Sequence, residues 1–241
     1  MPIAFERSGS GPALILVTGA FNDRTSSRPL ASVLAAEFTV YAFDRRGRGD
    51  SGDGDRYAIG NEAADLAAVA AAAGGSPLVY GHSSGASIVL EAAARGVSIR
   101  ALAVYEPPYG TNSTLELAGD LEQLAATGES SEAAERFLRH AGAAAGTLEQ
   151  MKASPHWSRM MTFAPTLPYD MTLASVPIPS LTEVGVPVLA IAGGASPAWA
   201  RDGAEAIAAA APDGRLLILP GQTHTVAPEV LVPVLCDFFL G

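Results

Sequence analysis

One short segment of this sequence has the residues and surroundings that nucleophilic catalysis needs. The segment Gly81–Gly85 reads GHSSG, follows the apolar run Pro77–Tyr80 and precedes the helical run Ala86–Ala94. In a strand–turn–helix context the glycines allow a turn too tight for side chains, and this strained turn lifts the serine hydroxyl clear of the sheet. The N-terminus of the helix then lies beneath the hydroxyl. We interpret Ser83 as a nucleophile; a glycine-rich turn with a capping serine is the alternative.

A serine hydroxyl becomes a good nucleophile only when a base takes its proton, and the base is usually a histidine. The sequence contains four histidines. The ring of His82, beside Ser83, is expected to point away from the hydroxyl, while His140 and His156 lie in a segment without convincing core strands. His224 stands in a loop between the last predicted strand and the C-terminal helix. A loop histidine without a catalytic role is the alternative interpretation of His224.

The oxyanion that forms on an attacked carbonyl needs two converging backbone N–H groups, one of them from the residue after the nucleophile. Ser84 is that residue. The second donor comes from the loop after an early strand, where Thr18–Phe21 (TGAF) follows Ala13–Val17. We predict that the amide of Ala20 is this donor, and the amide of Phe21 is the second choice. The alternative is that the segment is a plain glycine turn with no role in catalysis.

These residues depend on a fold in which short apolar runs alternate with longer helical segments. The alternation predicts an α/β fold with a mostly parallel central sheet and helices on both faces, and ligand-facing residues gather at the carboxyl ends of such strands. The predicted strands are Ala13–Val17, Thr39–Phe43, Leu78–Tyr80, Ala101–Tyr105, Val188–Ile191 and Leu216–Leu219, with two further edge strands before Gly11. The predicted helices are Ser27–Ala36, Asn61–Ala73, Gly85–Ala94, Arg201–Ala211 and Pro228–Leu240.

The stretch from Pro107 to Glu183 breaks this alternation, because it holds several prolines and helical fragments but no convincing core strand. We interpret residues 107–183 as an inserted cap, and residues 1–106 and 184–241 as the core. Leu115–Ala126 and Ser131–Ala145 are the helices predicted within the cap.

An aromatic and methionine-rich group in the cap is a candidate lining for an apolar acyl or ring pocket, since a cap decides the substrate by closing over the serine. The alternative is that these side chains only pack the cap onto the core. Its members are Trp157, Met160, Met161, Phe163, Leu167, Tyr169 and Met171. Phe21 and Trp199 of the core are expected to reach the same pocket, although Trp199 has a second possible use in fixing its own loop.

The sequence resembles the α/β-hydrolase superfamily in several segments besides Gly81–Gly85. Asp44–Ser51 (DRRGRGDS) is similar to a structural loop of the family, Pro187–Gly194 to the strand before the usual acid, and Pro220–His224 to the histidine loop. The resemblance covers almost the whole chain except the predicted cap. It implies a parallel-sheet core, a helical cap after the sixth strand, no cofactor or metal, and His224 as the base.

Two departures from the family pattern concern the site. Thr18 replaces the frequent histidine of the oxyanion motif, and Ser196 stands where the family commonly has its catalytic aspartate. Some members carry the acid after the sixth strand instead, and there Glu106 ends an apolar strand before two prolines. We predict that Glu106 orients the histidine, with a surface carboxylate at the cap hinge as the alternative. Asp202, far into a helix, and Asp170, in the cap, are the rival acids.

These residues together predict a serine hydrolase that cleaves a carboxylic ester or lactone through an acyl-enzyme. Similar Ser–His–Glu arrangements occur in some lactone-cleaving members of the superfamily. A serine at position 83 argues against the haloalkane dehalogenase and epoxide hydrolase branches, whose nucleophile is a carboxylate. C–C bond hydrolysis, acyl transfer or a lyase step on the same residues are alternatives, as is a catalytically silent ligand-binding protein.

Composition argues against other classes of protein. The net charge of −10 opposes binding to nucleic acid, and the single cysteine cannot form an intrachain disulfide. The first residues lack a signal-peptide pattern, and no apolar run reaches the ~18 residues of a membrane span. We expect a cytoplasmic, cofactor-free enzyme with a small-molecule substrate and neither nucleic acid nor membrane as partner.

Overall fold

The computed structural model describes residues 1–110 and 115–241, and within them the chain forms one seven-stranded sheet. The strands are β1 (Phe5–Ser8), β2 (Ala13–Val17), β3 (Thr39–Phe43), β4 (Leu78–His82), β5 (Ala101–Tyr105), β6 (Val188–Gly193) and β7 (Gly214–Leu219). Their order in the sheet is β1-β3-β2-β4-β5-β6-β7. Only β1 is antiparallel to its neighbour among these strands. The predicted α/β fold with a mostly parallel sheet is confirmed.

Helices cover both faces of the sheet. In the core they are α1 (Arg28–Leu34), α2 (Ile59–Ala72), α3 (Ser84–Ala94), α9 (Ala198–Ala210) and α10 (Pro228–Leu240), and a short 3₁₀ turn (Arg24–Ser27) precedes α1. Between β5 and β6 lie α4 (Leu115–Ala126), α5 (Ser130–His140), α6 (Ala145–Ala153), α7 (Trp157–Met161), a 3₁₀ turn (Ala164–Thr166) and α8 (Leu167–Ser175). No helix in the described part of the chain has the length and apolar composition needed to cross a membrane.

The central strands are buried on both faces, which explains their nearly continuous apolar sequences. Successive residues of a strand point to opposite faces. Ile15 of β2 packs against the layer formed by α2, α3 and α9, whereas Leu14 and Leu16 pack against α1 and α10. Because neighbouring strands are parallel, the ends of β2, β4, β5 and β6 meet at one edge of the sheet, where the candidate site is assembled.

Residues 107–183, which we call the cap segment, share an apolar cluster of their own. Its large buried side chains include Leu121, Leu148, Leu167 and Met171. Ala20 and Phe21 of the core pack against the same cluster, so the loop after β2 is a point of contact between the core and the cap segment.

Three details of the sequence prediction are wrong. Only β1 forms before Gly11 within the described residues, so the cap segment follows the fifth strand of this sheet rather than the sixth. The helix predicted at Ser27–Ala36 begins as a 3₁₀ turn and its α-helical part ends at Leu34. The helix predicted at Ser131–Ala145 ends at His140, because Gly142 has a φ of 92° that stops a right-handed helix.

Candidate active site

The turn between β4 and α3 presents Ser83 in a strained backbone conformation. Ser83 has a φ of 56°, which an L-residue rarely adopts. The turn is possible only because of its glycines: a Cβ at Gly81 would lie 2.6 Å from the Cα of Ala86, and a Cβ at Gly85 would lie 2.3 Å from the carbonyl oxygen of Val17. The predicted nucleophile turn therefore has the tight geometry that its sequence requires.

The structure brings the predicted nucleophile, base and acid together in one hydrogen-bonded chain. The Oγ of Ser83 lies 3.1 Å from the Nε2 of His224, and the Nδ1 of His224 lies 2.7 Å from the Oε2 of Glu106. The second carboxylate oxygen of Glu106 accepts a hydrogen bond of 2.7 Å from the amide of Gly193. This arrangement can pass a proton from the serine to the histidine while the carboxylate holds the ring.

Glu106 is fully buried at the end of β5. Burial by itself raises the pKa of Glu106, but the hydrogen bonds with His224 and with the amide of Gly193 outweigh this effect and hold that pKa below its usual value. Glu106 is therefore ionised at neutral pH and faces His224 as an anion. The rival Asp202 is exposed on α9, and the rival Asp170 binds elsewhere, so neither occupies this place.

His82 supports the histidine loop. Its Nε2 lies 2.9 Å from the backbone oxygen of His224, and its ring stacks on Tyr105 with 5.6 Å between ring centroids. Burial and the nearby His224 lower the pKa of His82 to about 4. Neutral His82 therefore donates its Nε2 proton to that carbonyl. The hydroxyl of Tyr105 donates to the carbonyl of Thr223 over 2.5 Å, a second support for the loop that sequence reasoning missed.

The loop Thr18–Phe21 lies directly against Ser83. A Cβ at Gly19 would be 2.7 Å from the Cβ of Ser83, so only glycine fits there. Phe21 has a φ of 58°, and the side chain of Asn22 donates to the carbonyl of Ala20 over 2.6 Å. The loop therefore lies beside Ser83, where a second oxyanion donor is needed. That the amides of Ala20 and Ser84 are the two donors stays a prediction.

A buried cluster of charged residues beside the turn was not foreseen. Asp170 of α8 accepts hydrogen bonds from Arg45 (2.7 Å), from Arg48 (2.6 Å) and from the hydroxyl of Ser84 (2.6 Å). Arg45 also makes a bidentate ion pair with Glu62 of α2. Burial raises the pKa of Asp170, but the charges of Arg48 and Arg45 outweigh this effect and hold that pKa below its usual value. The cluster ties the cap segment to the residue that follows the nucleophile.

Two aromatic residues of the predicted pocket make edge-on ring contacts. The ring of Trp199 meets that of His224 edge-on, with 5.9 Å between centroids. The ring of Phe21 meets Phe137 of α5 edge-on at 5.4 Å.

The predicted pocket residues of the cap segment occupy different surroundings. Trp157 and Phe163 are buried, while Met160 and Met161 are partly buried against the cap cluster. Tyr169 instead stacks on Tyr57 and donates its hydroxyl to Asp53 over 2.8 Å, so it attaches the cap segment to a core loop rather than lining the pocket.

Comparisons with known proteins bear on the fold of the chain. The model of the "Alpha/beta hydrolase family" matches residues 14–233. An N-formylmaleamate deformylase of Pseudomonas putida is 39% identical over 104 residues, which are 42% of this chain but only 39% of that protein.

Two solved structures extend the comparison. An alpha/beta hydrolase from Sphaerobacter thermophilus has 45% identity and a TM-score of 0.91, with 99% of this chain and 96% of that chain covered. An esterase from Rhodococcus sp. has 20% identity and a TM-score of 0.72, with 99% of this chain and 94% of that chain covered, and at this identity it bears on the fold alone.

Proposed function

Because the chain belongs to the alpha/beta hydrolase family, we propose that it is a serine hydrolase that cleaves a carboxylic ester or lactone through an acyl-enzyme. One observation carries the proposal: Ser83, His224 and Glu106 form a continuous hydrogen-bonded chain in which each atom has the partner that acyl transfer requires.

The reaction begins at Ser83. The Nδ1–H of His224 donates a hydrogen bond to ionised Glu106, so the Nε2 has no proton and can accept that of the Ser83 hydroxyl. The serine oxygen attacks the carbonyl carbon, and the amides of Ser84 and Ala20 stabilise the resulting oxyanion. Protonated His224 then gives its proton to the leaving alcohol, and a water molecule hydrolyses the acyl-enzyme by the same steps.

The substrate acyl group is inferred to be uncharged and apolar. Ala20 and Phe21 contact the apolar cluster of the cap segment, and the nearby cations Arg45 and Arg48 are already paired with carboxylates.

Hydrolysis of a formamide or another amide is the second candidate function. The observation in its favour is the 39% identity with a deformylase. The same three residues can serve this reaction, with His224 protonating a leaving nitrogen instead of a leaving oxygen.

The test combines active-site labelling with hydrolysis of matched esters, lactones and formamides. A fluorophosphonate probe is expected to label Ser83, and Ser83→Ala is expected to lose labelling and on the order of 10⁶-fold in kcat. His224→Ala should lose activity as well, while His156→Ala, an exposed histidine, should keep it.

Each result decides one part of the proposal. A Ser83→Ala variant that is labelled at the wild-type rate would remove this serine from the mechanism. Near-native turnover in His224→Ala would remove the base. If the formamide has a much larger kcat/KM than the formate ester with a matched leaving group and than the lactones, the second candidate replaces the first.

A further inference from the structure

Both predicted donors of the oxyanion hole are connected to the carboxylate of Asp170. On one side, the hydroxyl of Ser84 donates to Asp170 over 2.6 Å, while the backbone amide of the same residue is the predicted first donor. Ser84 and Asp170 are both buried, and Arg45 lies 3.2 Å from the same hydroxyl. The side chain of Ser84 is thus fixed from the cap segment while its amide stays available.

The connection on the other side runs through Arg48. Its Nη2 donates to Asp170 over 2.6 Å, and its Nη1 donates to the carbonyl of Gly19 over 2.7 Å. The carbonyl of Gly19 and the N–H of Ala20 belong to one peptide unit, and in a planar trans unit they point in opposite directions. A guanidinium that holds this carbonyl therefore turns the Ala20 N–H away from itself.

The direction of that N–H matters because the peptide lies close to the serine hydroxyl. A Cβ added to Gly19 would lie only 3.3 Å from the Oγ of Ser83. The neighbouring residue, Phe21, is in a left-handed conformation that L-residues rarely adopt, so the loop needs contacts that hold it in this shape. Arg48 supplies them, and its positive charge on the carbonyl also polarises the peptide and makes the N–H a stronger donor.

We propose that Arg48, held by Asp170 of the cap segment, is a positioning residue of the oxyanion hole: it orients and polarises the Gly19–Ala20 peptide. The inference rests on the proposed function, since it assumes that an oxyanion forms on a carbonyl attacked by Ser83. It assigns a role in the reaction to the loop Asp44–Ser51 and to a carboxylate of the cap segment. Seating of the cap segment then becomes a condition for a fully formed site.

Arg48→Lys is the variant that tests this role, and Arg46→Lys is its matched control. Lysine keeps the charge but cannot donate to Gly19, Asp170 and Thr166 in the planar geometry of a guanidinium. Arg46 is also buried, in the same loop, and its Nε donates to Asp65 over 2.8 Å. The control therefore breaks a comparable ion pair outside the site.

The measurements are kcat and KM for a p-nitrophenyl ester and the inhibition constant of an aryl trifluoromethyl ketone. The ketone adds the Ser83 oxygen to its carbonyl carbon, the serine proton passes to His224, and the carbonyl oxygen becomes an oxyanion in the hole. In Arg48→Lys, kcat and the affinity for the ketone should each fall about 10-fold to 100-fold with KM little changed, less than the 10²-fold to 10³-fold that loss of a whole donor costs. In Arg46→Lys all three should stay within about twofold of wild type.

Three results would overturn the inference: unchanged ketone affinity in Arg48→Lys, an equal loss in Arg46→Lys, or a loss confined to KM. If Arg48→Lys does not fold, Asp170→Asn tests the shared connection, because it keeps the shape of the side chain but weakens its hold on Arg48 and on the Ser84 hydroxyl; unchanged ketone affinity in this variant would overturn the inference as well. A wild-type protein that does not react with the ketone or with a fluorophosphonate would overturn the proposed function itself, so the two failures are distinguishable.

Discussion

Two buried carboxylates of the candidate site come from different parts of the chain, and they differ in what they bind. Glu106, at the end of β5, binds His224, whose side chain is 42% exposed and can gain and lose a proton. Asp170, in the cap segment, binds Arg45 and Arg48, which are buried and keep their charge at all ordinary pH values.

The difference indicates two uses of a buried negative charge. Around Glu106 the total charge changes when His224 is protonated, so this carboxylate can stabilise a cation that exists only during the reaction. Around Asp170 the charges are constant, and two carboxylates balance two guanidinium groups once Glu62 is included. Replacing Glu106 should therefore affect mainly the rate, while replacing Asp170 should affect stability as well as the proposed positioning of Arg48.

The largest expected effect comes from Glu106→Gln. The amide keeps the shape of the side chain but loses the charge that stabilises protonated His224, so kcat should fall on the order of 10⁴-fold, as for the corresponding change in a serine protease. KM and the unfolding midpoint should change little. Steady-state kinetics and urea unfolding measure the two effects, and a variant with native kcat would show that Glu106 only packs the strand end.

A smaller change in free energy is expected from Asp170→Ala. Its removal takes from buried Arg48 the carboxylate that it binds, while Arg45 keeps Glu62, and this costs about 3–5 kcal/mol of unfolding free energy. Urea unfolding monitored by tryptophan fluorescence measures this loss. Asp202→Ala, an exposed carboxylate, is the control and should change the free energy of unfolding by less than about 0.5 kcal/mol.

The same residue predicts how stability depends on pH. Because the pKa of Asp170 is lowered in the folded state, its contribution is fully present above the unfolded pKa of about 4 and is lost as the pH falls below that value. Asp170→Asn should therefore lose less stability than wild type between about pH 4 and pH 2. Equal acid sensitivity of the two proteins would show that other carboxylates dominate.

The smallest effect is expected at an exposed contact between the cap segment and the core. Arg159 of α7 donates to both carboxylate oxygens of Asp23, at 2.8 and 2.9 Å, but its side chain is half-exposed. Arg159→Gln should cost at most about 1 kcal/mol, and less at high salt. A loss of unfolding free energy as large as that of Asp170→Ala would contradict the view that the buried ion pairs of Asp170 stabilise the protein more than the exposed pair of Arg159 does.

The strands, most core helices and the residues of the Ser–His–Glu chain were predictable because each has a local signal. Ser83 lies between glycines at a strand end, and Glu106 is a carboxylate where an apolar strand meets two prolines. α10 begins and ends as predicted, at Pro228 and Leu240. The end of α5 at His140 also has a local signal, because glycine, here Gly142, commonly follows the end of a helix. The alanines around Gly142 favour helix, and these two signals compete.

The contacts of Asp170 were not predictable, because no local signal exists for them. Arg48 and Asp170 are separated by 122 positions, and an aspartate in a helix of a cap is usually a solvated surface charge. The left-handed backbone conformation of Phe21 was not predictable for a related reason. This residue has a positive φ without being a glycine, and the described residues with this property are Phe21, Ser83 and Glu106, all at the candidate site.

The hydrogen bond from the Gly193 amide to Glu106 shows that the ends of two strands share one carboxylate. β5 and β6 are paired, and adjacent strands lie about 4.8 Å apart, so carboxylates at the two strand ends can reach the same imidazole. The loop after β6, where the resemblance places the family's usual acid, has Ser196 in this chain, and the end of β6 still binds the carboxylate from β5. The place beside the imidazole is therefore defined by the pair of strands and not by one position in the sequence.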